Sequence, residues 1–163
     1  MNEREAFTEW ARSRQLGLLR TAVLLTGDHH RAEDLVQEAL AKVALRWSRL
    51  ESGHPEAYAR QVIARDHISM WRKRRREVVS QVGDSAGPVL DPDRHLVLQS
   101  ALASLTPRQR AVVVLRYYDD LSVEDTARTM GVSQGTVKSQ THLALRRLRE
   151  SMPELADLLR EGS

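Results

Sequence analysis

Between Leu105 and Val137 the chain marks three helix starts in close succession, and few folds accommodate that punctuation. Thr106-Pro107-Arg108-Gln109 sets a capping hydroxyl, a first-turn proline and a glutamine three residues after the cap, so a helix begins at Pro107 and runs to about Tyr118. Ser122 and Asp125 repeat the capping-box spacing for a short helix ending at Met130, where Gly131 can take the left-handed conformation that closes it. Ser133 caps a long helix whose inward positions fall at Val137, Thr141, Ala144, Leu145 and Leu148. Ala127, Gly131 and Val137 stand where a helix-turn-helix needs a small side chain for close approach, a tight turn and a branched residue beneath the second helix.

The remaining segments also read as helix. One helix around Phe7–Leu25 is broken at Thr26-Gly27-Asp28. A second, from Ala32 to Leu50, repeats apolar residues at Ala32, Leu35, Val36, Ala39, Val43, Trp47 and Leu50, the period of an amphipathic helix. A third starts at Pro55 and continues through Arg76, with Tyr58, Val62, Ile63 and Met70 on its apolar side. The pattern then dissolves into EVVSQVGDSAGPVLDPD over 77–93, a linker by composition. After it, Asp91-Pro92 opens a helix with Leu98, Ala101, Leu102 and Leu105 at core spacing. Ala, Leu, Val, Arg and Glu dominate, strand-favouring Ile, Phe and Tyr are scarce and aromatics make up only 4% of the chain, so the expected fold is all-α: two small helical domains, 1–76 and 94–152, joined by a flexible linker. An acidic tail, 153–163, carries Leu155, Leu158 and Leu159 at the spacing of a short amphipathic helix.

Several function classes recede on composition. The longest apolar run, Ala111 to Leu115, is far short of the roughly 20 residues a membrane span requires. MNEREAFTEW lacks the apolar core of an export signal, so cytoplasmic residence is expected. Without cysteine there is no disulfide, thiol nucleophile or thiolate metal site. The eight glycines form neither a phosphate-cradling loop nor a dinucleotide fingerprint, and adjacent His29 and His30 point to different helix faces, so no enzyme, cofactor or metal is expected.

Charge placement points to a polyanion. Residues 60–76 hold seven bases against one acid, and 137–149 four bases and no acid, in a chain whose net charge is only +3. In a helix-turn-helix the start of the second helix enters the major groove. The candidate readers of paired DNA are therefore Gln134, Thr136, Lys138, Ser139, Gln140 and His142, with Arg146, Arg147 and Arg149 further along. The first block differs, because Arg60, Arg65, Arg72, Lys73, Arg74, Arg75 and Arg76 share a helix with Tyr58, His67 and Trp71. Rings among cations suit unstacked nucleic acid, although Tyr58 and Trp71 read equally well as core. Glu33, Asp34, Gln37, Glu38 and Lys42, opposite the apolar stripe of the second helix, read as a solvated face.

Taken together, the chain resembles the extracytoplasmic-function class of bacterial sigma factors, which keep only the second and fourth sigma domains. The likeness rests on Ala32-Glu33-Asp34-Leu35-Val36-Gln37-Glu38, on Leu105 through Arg110 with Leu115-Arg116-Tyr117, and on Leu121-Ser122 through Gly131 to Ser139. It implies a factor that binds core RNA polymerase and directs promoter recognition, DNA melting and initiation. Asp34, Gln37, Glu38 and Lys42 then fall where such factors meet the coiled-coil clamp of the largest polymerase subunit. Arg60, Arg65, His67, Trp71, Arg72, Arg74 and Arg75 fall where the nearer promoter hexamer is recognised and melted, and the helix from Gln134 where the distant hexamer is read as duplex. The linker would thread toward the RNA exit channel, and an anti-sigma factor is an implied partner. Arg65 or Asp66 stands where relatives commonly carry Asn, Gln140 where they carry Arg, and Leu143 where a base is frequent. The alternative is a stand-alone helix-turn-helix regulator binding operator DNA as a dimer, which accounts for neither the acidic face nor the first basic block.

Overall fold

The computed structural model describes residues 1–77 and 92–154, and its contacts divide the chain into two compact units, Met1–Ala86 and Gly87–Ser163. Every regular element among the described residues is helical. Most of the linker expected at 77–93 and most of the acidic tail, including Leu155, Leu158 and Leu159, lie outside the described residues.

The first unit contains α1 (Glu3–Thr26), α2 (His29–Leu45), the single turn α3 (Trp47–Leu50) and α4 (Pro55–Glu77). Asn2 and Glu5 cap the start of α1 reciprocally, and Gly27 ends it at φ 69°, a conformation costly for any residue with a Cβ. Asp28 then caps α2, accepting from the His30 and Arg31 amides at 3.0 and 3.3 Å. Leu18, Ala22 and Leu25 of α1, Leu35, Val36, Ala39 and Val43 of α2, and Ala59, Val62 and Ile63 of α4 form the buried core. The alanines at helix contacts let the three backbones approach closely.

The structure departs from the expected three helices at Arg46, where φ −119° and ψ 14° interrupt the pattern read as continuous from Ala32 to Leu50. The Trp47 ring is buried there, 5.6 Å from the rings of both Phe7 and Trp10, and the Arg46 guanidinium lies 5.3 Å from the Tyr58 ring centre. Three packed rings and a cation–π contact outweigh the helical hydrogen bonding forgone, at about 0.5–1.5 kcal/mol for each aromatic pair. Met70, expected on the apolar side of α4, is 41% exposed. It lines two surface hollows with Leu35 of α2 instead of joining the core.

The second unit contains α5 (Pro92–Ala103), α6 (Pro107–Val113), a π-helical turn (Val114–Tyr118), α7 (Val123–Met130) and α8 (Gln134–Ser151). Thr106 and Gln109 form the expected reciprocal box, with both bonds at 3.2 Å. The helix from Pro107 does not stay α-helical to Tyr118, because the Asp119 amide donates to the Val114 carbonyl, five residues back. Ala111 through Leu115 are all buried, and Arg116 Nη1 donates to the Leu121 carbonyl at 2.6 Å, closing the connection into α7. Ser122 caps α7 through the Asp125 amide, but the return half of the box is absent. Aspartate is one methylene shorter than the usual Glu, and its carboxylate instead meets Arg128 at 3.0 Å. Gly131, at φ 70°, turns the chain into α8 with Ala127 and Val137 buried beneath. Ala144 and Leu148 continue that inward stripe, whereas Thr141 and Leu145 are half-buried at its edges.

Candidate nucleic-acid and protein interfaces

Helical period puts Asp34, Gln37 and Glu38 on the outer face of α2, and all three are exposed. Packing of α4 against α2 then adds a residue the sequence motif did not include, Asp66. Asp34, Glu38 and Asp66 line one cleft of about 350 Å³ with Leu35, Ser69 and Met70. Lys42 closes its end, with Nζ 3.3 Å from Asp66 Oδ2 and 3.7 Å from Glu38 Oε1. Three carboxylates against one ammonium leave the cleft negative. Asp66 lies 24 residues from Lys42, so no local spacing could have grouped them.

The candidate single-strand residues on α4 do not behave alike. Arg60 is mostly buried, its Nη2 3.4 Å from Glu56, whose other oxygen lies 3.6 Å from Arg14 Nε. Tyr58 is half-buried under Arg46, so its ring is already covered on one side. Trp71, by contrast, is 38% exposed, which answers the question of whether its ring is core. Arg65, Arg72 and Arg74 are exposed and His67 is half-buried. The side chain of Arg75 lies outside the described residues.

On α8, Gln134, Lys138, His142 and Arg146 recur every fourth residue, which places them along one stripe, and all four are exposed. The other candidates are partly committed within the helix. The Thr136 hydroxyl is 2.9 Å from Ser133 Oγ, and Ser139 Oγ donates to the Thr136 carbonyl at 3.1 Å. Gln140 is half-buried, Arg147 and Arg149 are exposed, and Arg146 Nε lies 3.8 Å from Glu150. Leu143, 43% exposed, interrupts the polar surface.

Among the described residues no group of three histidines or acids could hold a metal ion. His29 Nε2 lies 2.6 Å from Glu33 Oε1, within its own helix, and no described helix is long and apolar enough to cross a membrane.

Residues 7–77 match the family model for sigma-70 region 2, and residues 101–150 match that for sigma-70 region 4. The chain is 42% identical over 158 residues to the RNA polymerase sigma-E factor of Streptomyces coelicolor, covering 93% of this chain and 89% of that protein. It is 36% identical over 151 residues to the ECF RNA polymerase sigma factor SigL of Mycobacterium tuberculosis, covering 85% and 84%. The fold is similar to that of the sigma factor RpoE of Bartonella quintana, solved in complex with the anti-sigma factor NepR. That similarity has a TM-score of 0.73 at 28% identity and covers 91% of this chain and 97% of that one.

Proposed function

Since the chain belongs to the extracytoplasmic-function sigma factors, which bind core RNA polymerase and direct promoter-specific transcription, we propose that it divides that task between its units according to the sign of their surfaces. Asp34, Gln37 and Glu38, with Asp66 beside them, dock on the coiled-coil clamp of the largest polymerase subunit. Lys42, which bridges Glu38 and Asp66 beside the cleft, belongs to the same surface. The second half of α4, through Arg65, His67, Trp71, Arg72, Arg74 and Arg75, grips opened promoter strands, with Trp71 offering a face for a base to stack on. Arg60 supports that helix from beneath. The α8 stripe of Gln134, Lys138, His142 and Arg146, flanked by Thr136, Ser139, Gln140 and Arg147, reads the distant promoter element as duplex.

The observation that carries this reading is the separation of charge. Acids gather in the cleft between α2 and α4, and unburied cations gather at the end of α4 and along α8. Each DNA contact can be weak in isolation, because one polymerase holds both units and raises their effective concentration on a promoter. The protein works in the cytoplasm and performs no chemistry of its own. An anti-sigma factor is a fitting regulator, given that a protein of similar fold was solved with one. A stand-alone dimeric regulator would use α8 but leave the acidic cleft without a role.

The test is reconstitution with core polymerase. Replacing Arg72, Arg74 and Arg75 by alanine should leave assembly with core polymerase intact and abolish promoter opening, followed by permanganate reactivity of unpaired thymines. Normal opening by that variant would refute the assignment.

A further inference from the structure

A second recess lies across the Leu35–Met70 ridge from the acidic cleft, and both residues line both hollows. Its other walls are Thr26, Arg31, His67, Trp71 and Arg74, so one side of the ridge is lined by carboxylates and the other by nitrogen bases. Arg31 belongs to neither basic block of the sequence and reaches this place only because the turn between α1 and α2 packs under the end of α4.

That turn is rigid. The Thr26 hydroxyl donates to the Ala22 carbonyl at 2.9 Å and accepts from the Asp28 amide at 3.1 Å. Asp28 spends one carboxylate oxygen on the α2 cap, and the other lies 3.5 Å from Arg31 Nε, which aims the guanidinium. The recess holds about 20 Å³, room for one or two water-sized groups. A nucleobase cannot enter it, whereas a phosphate oxygen can. Cations over an apolar floor, at the edge of an exposed indole, match a sugar–phosphate backbone passing beside a stacked base.

We propose that Arg31 and Arg74 together clamp a backbone phosphate of promoter DNA beside the Trp71 ring, extending the DNA surface from α4 onto the turn between α1 and α2. The inference rests on the assignment of α4 to promoter DNA and adds a contact that this assignment does not include. It predicts a sequence-independent contact, because a phosphate carries no base information.

The experiment uses holoenzyme assembled from core polymerase and the full chain, with fluorescent single-stranded and duplex promoter oligonucleotides titrated across a salt series. Arg31→Ala should weaken binding about two- to fivefold, the worth of an exposed charge contact. The loss should be equal on promoter and scrambled sequences, and the salt slope should fall by roughly 0.7 on single strands or 0.9 on duplex. Arg31→Lys should restore the slope, while thermal stability and affinity for core polymerase stay unchanged in both variants. A loss on either form of DNA supports the clamp and tells which form supplies the phosphate. If Arg31→Ala binds both forms like wild type while an Arg72→Ala/Arg74→Ala double variant is weakened, the clamp is refuted and the role of α4 stands. If that double variant is also silent, the α4 assignment fails with it.

Discussion

Lys42 Nζ sits 3.3 Å from Asp66 Oδ2, tying the last turn of α2 to the middle of α4 beside the acidic cleft. Glu38 Oε1 lies 3.7 Å from the same nitrogen, so one ammonium moderates carboxylates from two helices and orders them toward solvent. The bridge is partly exposed, and its contribution to folding is small, about 1 kcal/mol or less. It holds Glu38 and Asp66 on one surface, in the cleft that Asp34 also lines.

Reversing the charge of that surface should separate binding from folding. Glu38→Arg places a cation on an exposed position, so thermal unfolding should shift by less than about 0.5 kcal/mol. Affinity for core polymerase should fall tenfold or more, because like charges then face each other across the contact. Sedimentation of the mixed components measures it, and undiminished assembly would remove the acidic cleft from the interface.

Glycines at two positions of α1 should respond in opposite directions. Gly17 is exposed in the helix interior, and a Cβ there would meet no atom within 4 Å. Gly17→Ala should stabilise the chain by about 0.5–1 kcal/mol through helix propensity. Gly27→Ala should destabilise it by about 1 kcal/mol or more, since φ 69° strains any L side chain. Chemical denaturation of both variants checks the pair.

Two neighbours on the α8 stripe should fail differently. Lys138→Ala should weaken duplex binding about equally across sequences and lower the salt slope by about one. Gln134→Ala should instead relax base preference at a single promoter position, costing about 1–3 kcal/mol of discrimination there. Binding selections on randomised duplexes separate the two, and equal behaviour of both variants would contradict the proposed register of α8 in the groove.

Arg110, buried beneath α5 and bonded through Nη2 to Gln99 Oε1 at 2.6 Å, has its pKa lowered by burial from the ordinary arginine range to about 10. A depressed base is easier to deprotonate when folded, so its desolvation cost is fully present below about pH 10 and is relieved only as pH rises above that toward the ordinary arginine value. Whatever stability change Arg110→Met produces should therefore be the same at pH 6 and pH 8.5. A difference between those two denaturation midpoints, beyond that of the parent chain, would mean that burial does not control this group.

Thr106, Ser122, Gly131 and Ser133 were legible in the chain alone, because capping and helix termination are decided by atoms three to five residues apart. For the same reason, the α8 stripe and the exposed acids of α2 followed from helical period, and the two basic blocks from simple order. Local spacing could not reveal that Arg46 leaves the helix, or that Asp66 joins Glu38 and Arg31 joins Trp71. Those pairings depend on how α1, α2 and α4 pack, a balance of buried rings, close-fitting alanines and shared ion pairs among residues distant along the chain. Sequence by itself determined which segments become helices and which faces carry charge. Only the tertiary structure decided which charges meet, because contact between helices is set by the core they bury together and not by any spacing within one of them.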